Sequence, residues 1–178
     1  MSKSTKEPRA TAPAKSATSK AASRSRRKKP APPRYVVGIG ASAGGLEALT
    51  ALISHLPINL GISYVVIQHL SPTYRSMMAQ LLGRDTEMPV REAEDGAPLE
   101  ADTIFIAPAN HNLTLHGDTF RLVETPREVV PKPSVNVFLT SLAETRAESA
   151  IGVILSGTGS DGAQAIRGVK AAGGFTFA

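Results

Sequence analysis

Arg34-Tyr-Val-Val-Gly-Ile-Gly-Ala-Ser-Ala-Gly-Gly-Leu-Glu-Ala-Leu49 is the stretch whose reading decides the fold. Tyr35 to Ile39 is a short apolar run rich in β-branched residues, which predicts a buried strand. Gly38, Gly40, Gly44 and Gly45 loosen the backbone around it, and Leu46, Glu47, Ala48 and Leu49 are strong helix formers. Ser42 is therefore expected on a sharp, strained strand-to-helix turn. The spacing Gly40-Ala41-Ser42-Ala43-Gly44 is G-x-S-x-G, the elbow that holds a serine nucleophile out over the end of a sheet.

The same letters admit two other readings. Gly38-x-Gly40-x-x-Ala43 fits the dinucleotide fingerprint G-x-G-x-x-G/A, although the next strand-like run, Ser63 to Gln68, ends in Gln68-His69 and not in the acid that would hold a ribose. The phosphate loop G-x-x-x-x-G-K-[ST] fails, because Leu46 follows Gly45. The plainest reading is a glycine-rich connection whose serine caps a helix.

Outward from this stretch, apolar periodicity lays out the rest. Leu46, Leu49, Leu52, Ile53 and Leu56 lie at helical spacing up to Pro57, and Ser63–Gln68 is a second buried strand. Pro72 is placed to open a helix with Met77, Met78, Leu81 and Leu82 on its apolar face, the methionines acting as core filler. Met88–Ala93 and Thr103–Ala107 read as further strands. Asn112–Leu115 and Thr119–Val123, flanking His116-Gly117-Asp118, read as a hairpin. A polar, proline-punctuated loop spans Glu124 to Pro133. Ser134 then opens a helix with Val135, Phe138, Leu139 and Leu142 on its buried face.

Ala150–Leu155 is the last full strand. Ser156-Gly-Thr-Gly-Ser-Asp-Gly162 is a second glycine-rich strand-to-helix loop, and its helix runs to about Ala172 before Gly173-Gly174. Strands alternating with helices predict an α/β domain: a doubly wound, mainly parallel sheet with helices on both faces, the hairpin set apart as an antiparallel appendage. Phe175-Thr-Phe-Ala178 starts another strand-like run with no covering helix after it, so the domain is expected to be cut short at its C-terminus.

Composition bounds the partners. Residues 1–33 hold ten Lys/Arg against one acid, Glu7, a balance of +9; residues 34–178 hold the other ten against fourteen Asp/Glu, a balance of −4. The basicity thus belongs to a tail, 1–33, too poor in large apolar side chains to offset its ordering entropy and expected to be disordered. Arg24-Ser-Arg-Arg-Lys-Lys29 could touch nucleic acid or anionic lipid, but no aromatics interleave for base stacking, and a solvated tail is the expected role. No run approaches the ~18 apolar residues of a membrane span, and no apolar segment follows the basic start as in a secretory signal. The absence of cysteine excludes disulfides, thiol nucleophiles and thiolate metal sites, and agrees with a cytoplasmic protein.

Three side chains fall just past strand ends: Ser42, His69 and Asp161. In a parallel sheet such loops share one rim, where ligands bind. A serine hydroxyl needs a base to remove its proton, a histidine titrates near neutrality, and an acid behind it fixes the tautomer and stabilises the imidazolium. Each also has a plainer reading, His69 as a structural histidine and Asp161 as a cap of the helix that follows it. Of the other histidines, His55 on a helix face and His116 at the hairpin tip are expected to be structural, while His111 could line the cleft. The histidines form no close-spaced ligand pair, so metal ligation is not expected.

These motifs resemble a known family. G-I-G-A-S-A-G-G at 38–45, Q-H-L-S-P at 68–72 and S-G-T-G-S-D-G at 156–162 are similar to the chemotaxis protein-glutamate methylesterases, the CheB-type catalytic domain. R-E-A-E-D-G at 91–96, I-F-I-A-P-A-N-H-N-L at 104–113 and K-P-S-V-N-V-F at 132–138 resemble the connecting motifs, so the likeness runs from about Tyr35 to Ala178. It implies Ser42 as nucleophile, His69 as base and Asp161 as orienting acid. It also implies hydrolysis of glutamate methyl esters on a methyl-accepting chemotaxis receptor, or a similar methylated signalling protein, with glutamine deamidation in some members and no cofactor. Asn136 stands where the family commonly has aspartate and Thr158 where it often has methionine. The family's regulated members carry a receiver domain before this one, and here the tail stands in its place. That mixture resembles the versions fused to methyltransferase and sensor domains. Against the enzyme stand two other expectations, a catalytically idle receptor-binding module of the same fold and a dinucleotide-binding domain.

Overall fold

The computed structural model describes Met1 and residues 32–68, 75–124, 133–155 and 160–178. The Tyr35 run becomes strand β1 (Tyr35–Ala41), buried at every position after the first. Burial on both faces is what a continuous apolar run in a central parallel strand requires. On one side β1 pairs in parallel with β2 (Ile62–Gln68), Tyr35 against Ile62 through to Ala41 against Gln68. On its other side it pairs in parallel with β7 (Ala150–Ile154). β3 (Val90–Glu92), β4 (Thr103–Ile106) and β8 (Phe175–Phe177) complete a six-stranded sheet of order β3-β4-β2-β1-β7-β8. Every pairing in it is parallel.

That order contains a reversal. From β1 the chain builds outward through β2 to β3 and β4, then returns to lay β7 and β8 on the opposite side of β1. The crevice beyond the carboxyl ends of β1 and β7 is the topological switch point, where open α/β sheets bind ligands. β1 leads into the glycine-rich serine turn there, and the chain after β7 is described again from Ser160.

Alternation along the strands divides the core in two. Val37, Ile39, Tyr64, Val66, Ile104 and Ile106 pack with Leu49 and Ile53 of α1 (Leu46–Ser54) and Met78 and Leu82 of α2 (Arg75–Leu82). Val36, Val65, Ile67 and Phe105 face the other way, onto α3 (Val135–Arg146) and α4 (Ala163–Ala171). Helices cover both faces, as the alternating pattern implied. Of the two methionines assigned to the core, Met78 is 2 % exposed but Met77 is 52 % exposed, so only Met78 fills it. Pro72 and most of the Glu124–Pro133 loop lie outside the described residues.

The hairpin is a separate antiparallel sheet, β5 (His111–His116) and β6 (Thr119–Glu124), turning at Gly117 with φ +59°. It is not peripheral. Leu113, Leu115 and Phe120 belong to the α3-side core, and the Phe105 and Phe120 rings meet edge-on with centroids 4.8 Å apart. Two side chains of α3 grip it: Ser141 Oγ accepts the Leu115 N–H at 3.1 Å, and the Thr145 hydroxyl donates to the Leu115 carbonyl at 3.3 Å. A two-stranded hairpin is barely stable alone in water, and this one gains its stability from α3. At the far end of α3, Arg146 donates to Asp118 of the hairpin turn at 2.7 Å and to the Pro33 carbonyl at 2.9 Å, fastening the start of the described chain. Among the described residues no helix is long and apolar enough to cross a membrane.

Candidate active site

Ser42 directly follows β1 and precedes a 3-10 turn, Ala43–Gly45, that runs into α1. Its backbone is extended, φ −79° and ψ 175°, so the strain expected of an elbow is absent. The sharp bend is made after the serine, where the Gly45 N–H closes onto the Ser42 carbonyl at 2.9 Å. The hydroxyl makes no capping bond to that turn, which removes the plainest reading of the residue. The N–H groups of Ala43 and Gly44, opening a helical turn, have no acceptor within it.

Gly38 and Gly40 lie inside β1, not in the turn after it, and face α3. A Cβ on Gly38 would sit 2.7 Å from Leu139 Cδ2, and one on Gly40 2.5 Å from Val135 Cγ1. The G-x-G pattern is thus accounted for by a helix packed hard on the strand. It does not place glycines where a pyrophosphate would approach.

Asp161 follows β7 on the neighbouring strand, at the same carboxyl edge of the sheet. Its Oδ2 accepts the Val135 N–H at 2.7 Å, and its Oδ1 accepts the Asn136 N–H at 2.9 Å and the Ser134 hydroxyl at 3.1 Å. The carboxylate thus caps the start of α3 and not, as expected of a simple cap, the helix that follows it. Gly162 makes this possible with φ +97°, turning the chain so that Asp161 points back across the switch point. The N-terminal end of a helix, with charge-assisted N–H bonds, suits a fixed negative charge. Asn136 returns the arrangement: its Oδ1 accepts the Ala165 N–H at 3.1 Å, in the first turn of α4.

Two of the three proposed site residues therefore lie at the same edge of the sheet, Ser42 after β1 and Asp161 after β7. His69 lies outside the described residues, as does Thr158; β2, the strand leading to His69, ends at this rim with Gln68 beside Ala41. Of the remaining histidines two are exposed and one, His111, is partly buried. His55 is exposed at the end of α1, its Nδ1 2.8 Å from the Ala51 carbonyl, and His116 is exposed at the end of β5. His111 opens β5 with Nδ1 3.3 Å from the Ala109 carbonyl. Beside Asp161 a cleft of about 520 Å³ opens between α3 and α4, lined by Asn136, Ser160, Ala163, Gln164 and Arg167.

Sequence reasoning missed the partners. Ser134 was legible as a helix start, and its Oγ accepts the Val137 N–H at 3.4 Å, but nothing local marked it or Asn136 as neighbours of Asp161. Gln68, whose side chain meets the backbone of Ser42, was read only as the end of a strand.

Residues 37–178 match the family model described as CheB methylesterase. A protein-glutamate methylesterase/protein-glutamine glutaminase of Desulfitobacterium hafniense (strain Y51) is 34% identical over 154 residues, which cover 82% of this chain and 39% of that protein. The third such protein of Burkholderia orbicola (strain AU 1054) is 39% identical over 157 residues, covering 84% and 45%. The chain spans less than half the length of these curated relatives. The crystal structure of the Thermotoga maritima CheB methylesterase catalytic domain superposes with a TM-score of 0.75 at 34% identity, covering 80% of this chain and 77% of that one.

Proposed function

The chain belongs to the CheB methylesterase family, and from that premise we propose that residues 34–178 form a protein-glutamate methylesterase domain acting on methylated chemoreceptors. The observation that carries this reading is the delivery of Ser42 and Asp161 by adjacent parallel strands to one switch-point rim. Ser42 is the nucleophile, His69 the general base and Asp161 the acid that orients it. The glycine-rich turn leaves Ser42 on a relaxed backbone at the crevice, and the α3 cap holds the Asp161 carboxylate in one place.

The chemistry runs in two halves. His69 takes the Ser42 proton as Oγ attacks the ester carbonyl; the tetrahedral intermediate collapses, and methanol leaves with the proton from the imidazolium. Water, deprotonated by the same imidazole, then attacks the acyl-enzyme, releasing the glutamyl carboxylic acid and restoring the serine. Asp161 stays ionised and stabilises the imidazolium in both halves. The N–H groups of the serine turn and of the 156–162 loop, including that of Thr158, are the candidate oxyanion donors, each worth roughly 3 kcal/mol or 10²–10³ in rate. With a glutamine side chain as substrate the same steps release ammonia, the glutaminase activity in the relatives' names. No step requires a cofactor. Residues 1–33 are a basic segment with no part in the chemistry in this reading, and the domain works in the cytoplasm.

The experiment is methanol release from a methylated chemoreceptor, run beside labelling by a serine-directed fluorophosphonate. Turnover with labelling, both lost in Ser42→Ala, supports the esterase. Folded protein that is neither labelled nor active would mark the domain as an idle receptor-binding module.

A further inference from the structure

Gln68 is the last residue of β2, in register with Ala41, the residue just before Ser42. It is 2 % exposed, one of three polar residues buried to that degree among the described residues. Its Nε2 donates to the Ser42 carbonyl at 3.3 Å, the same oxygen that accepts the Gly45 N–H at 2.9 Å. The Ser42 carbonyl is thus engaged twice, once to close the serine turn and once to anchor that turn to the neighbouring strand. The other half of the amide, Oε1, is buried and has no partner among the described residues. Exchanging the two amide atoms would set Oε1 against the Ser42 oxygen, acceptor to acceptor, so the nitrogen faces the serine.

A buried acceptor without a partner is destabilising, and a leucine or methionine of similar volume would fill the strand end without that cost. A local rule broken in this way, beside a reactive group, marks a residue kept for what it does to its neighbour. We propose that Gln68 is a positioning residue for the nucleophile: its amide holds the Ser42 carbonyl, and through it the serine turn, in the geometry from which Oγ attacks. The inference rests on the esterase reading of Ser42. Its consequence is a separation of stability from rate. Removing the amide relieves the orphaned oxygen while freeing the turn, so the protein keeps or gains stability as it loses speed.

The test compares wild type with Gln68→Leu, Gln68→Met and Gln68→Glu. The readouts are melting temperature, rate of fluorophosphonate modification at Ser42, kcat and KM for methanol release, and amide hydrogen exchange at Gly45. Gln68→Leu and Gln68→Met are expected to melt at or above the wild-type temperature and to lose about tenfold or more in modification rate and kcat. Their KM stays within about twofold, because the amide touches the turn and not the substrate. Gly45 exchanges faster in both, and Gln68→Glu, which sets a carboxylate oxygen against the Ser42 carbonyl, is slower still. Wild-type rates and wild-type Gly45 exchange in the apolar variants would overturn the proposal. So would a melting temperature that falls in step with the rate, since that is how a packing residue behaves. Wild-type protein that resists modification would sink the esterase reading itself, and Gly45 exchange would then decide the clamp alone.

Discussion

Asp161 and Asn136 cap each other's helices: the Asp161 carboxylate accepts the Asn136 N–H at the start of α3 at 2.9 Å, while the Asn136 amide oxygen accepts the Ala165 N–H at the start of α4 at 3.1 Å. The two residues are twenty-five apart in sequence. Their exchange locks the N-terminal ends of α3 and α4 together at the switch point. In the proposed triad, an acid fixed in this way would cost little further ordering, because the two helices already hold it.

Replacing Asp161 should therefore damage stability and rate by separable amounts. Asp161→Ala removes three donors' worth of acceptor at the α3 N-terminus and is expected to cost about 2–4 kcal/mol, read from urea unfolding. Asp161→Asn keeps one carbonyl acceptor and should lose less than half of that. Its kcat should still fall on the order of 10³-fold or more, since a neutral amide neither fixes the tautomer nor stabilises the imidazolium. An Asp161→Asn protein with near wild-type turnover would reduce Asp161 to a helix cap.

The glycines divide by what faces them. Gly40→Ala thrusts a Cβ to 2.5 Å from Val135 Cγ1 and 3.1 Å from Ile154 Cδ1, and overpacking of that kind costs about 1–3 kcal/mol. Gly162→Ala adds the penalty of φ +97° to contacts of 2.7 Å with Ile154 and 2.9 Å with Val135, so it should lose more stability than Gly40→Ala. It should also lose activity, because that φ is what aims Asp161 at α3. Gly44→Ala meets nothing within 4 Å and is expected to leave the unfolding midpoint unchanged. Thermal or urea unfolding of the three variants checks the order.

The elements themselves were legible because their signals are local. Val135, Phe138, Leu139 and Leu142, read from helical spacing, are all at most 2 % exposed. The apolar runs at 35–39 and 63–68 became the two central strands. What escaped was set by contacts distant in sequence. Met77 was assigned to the core on spacing alone, yet in the first turn of α2 it stands in solvent. The hairpin is set apart from the main sheet as expected, but its packing on α3 and Phe105 had no local signal. Asp161 read as a cap for the helix beside it, and only the left-handed turn at Gly162, together with the return of α3 to the same rim, gives it another helix to cap. Strain at Ser42 was inferred from the letters G-x-S-x-G, but relaxed φ and ψ values suffice once the bend falls on the residues after it.

Ser42 and His69 offer the cleanest separation of chemistry from folding. Ser42 is only partly buried and its hydroxyl makes no capping bond to the turn that follows it, so Ser42→Ala should shift unfolding by less than about 1 kcal/mol. The same variant should release no methanol and take no fluorophosphonate. His69→Ala, one residue past the end of β2, should melt close to wild type while Ser42 is modified some 10²–10⁴-fold more slowly, the usual contribution of a positioned general base. A large fall in the melting temperature of His69→Ala would assign that histidine to the fold. An unchanged modification rate would require another base for Ser42.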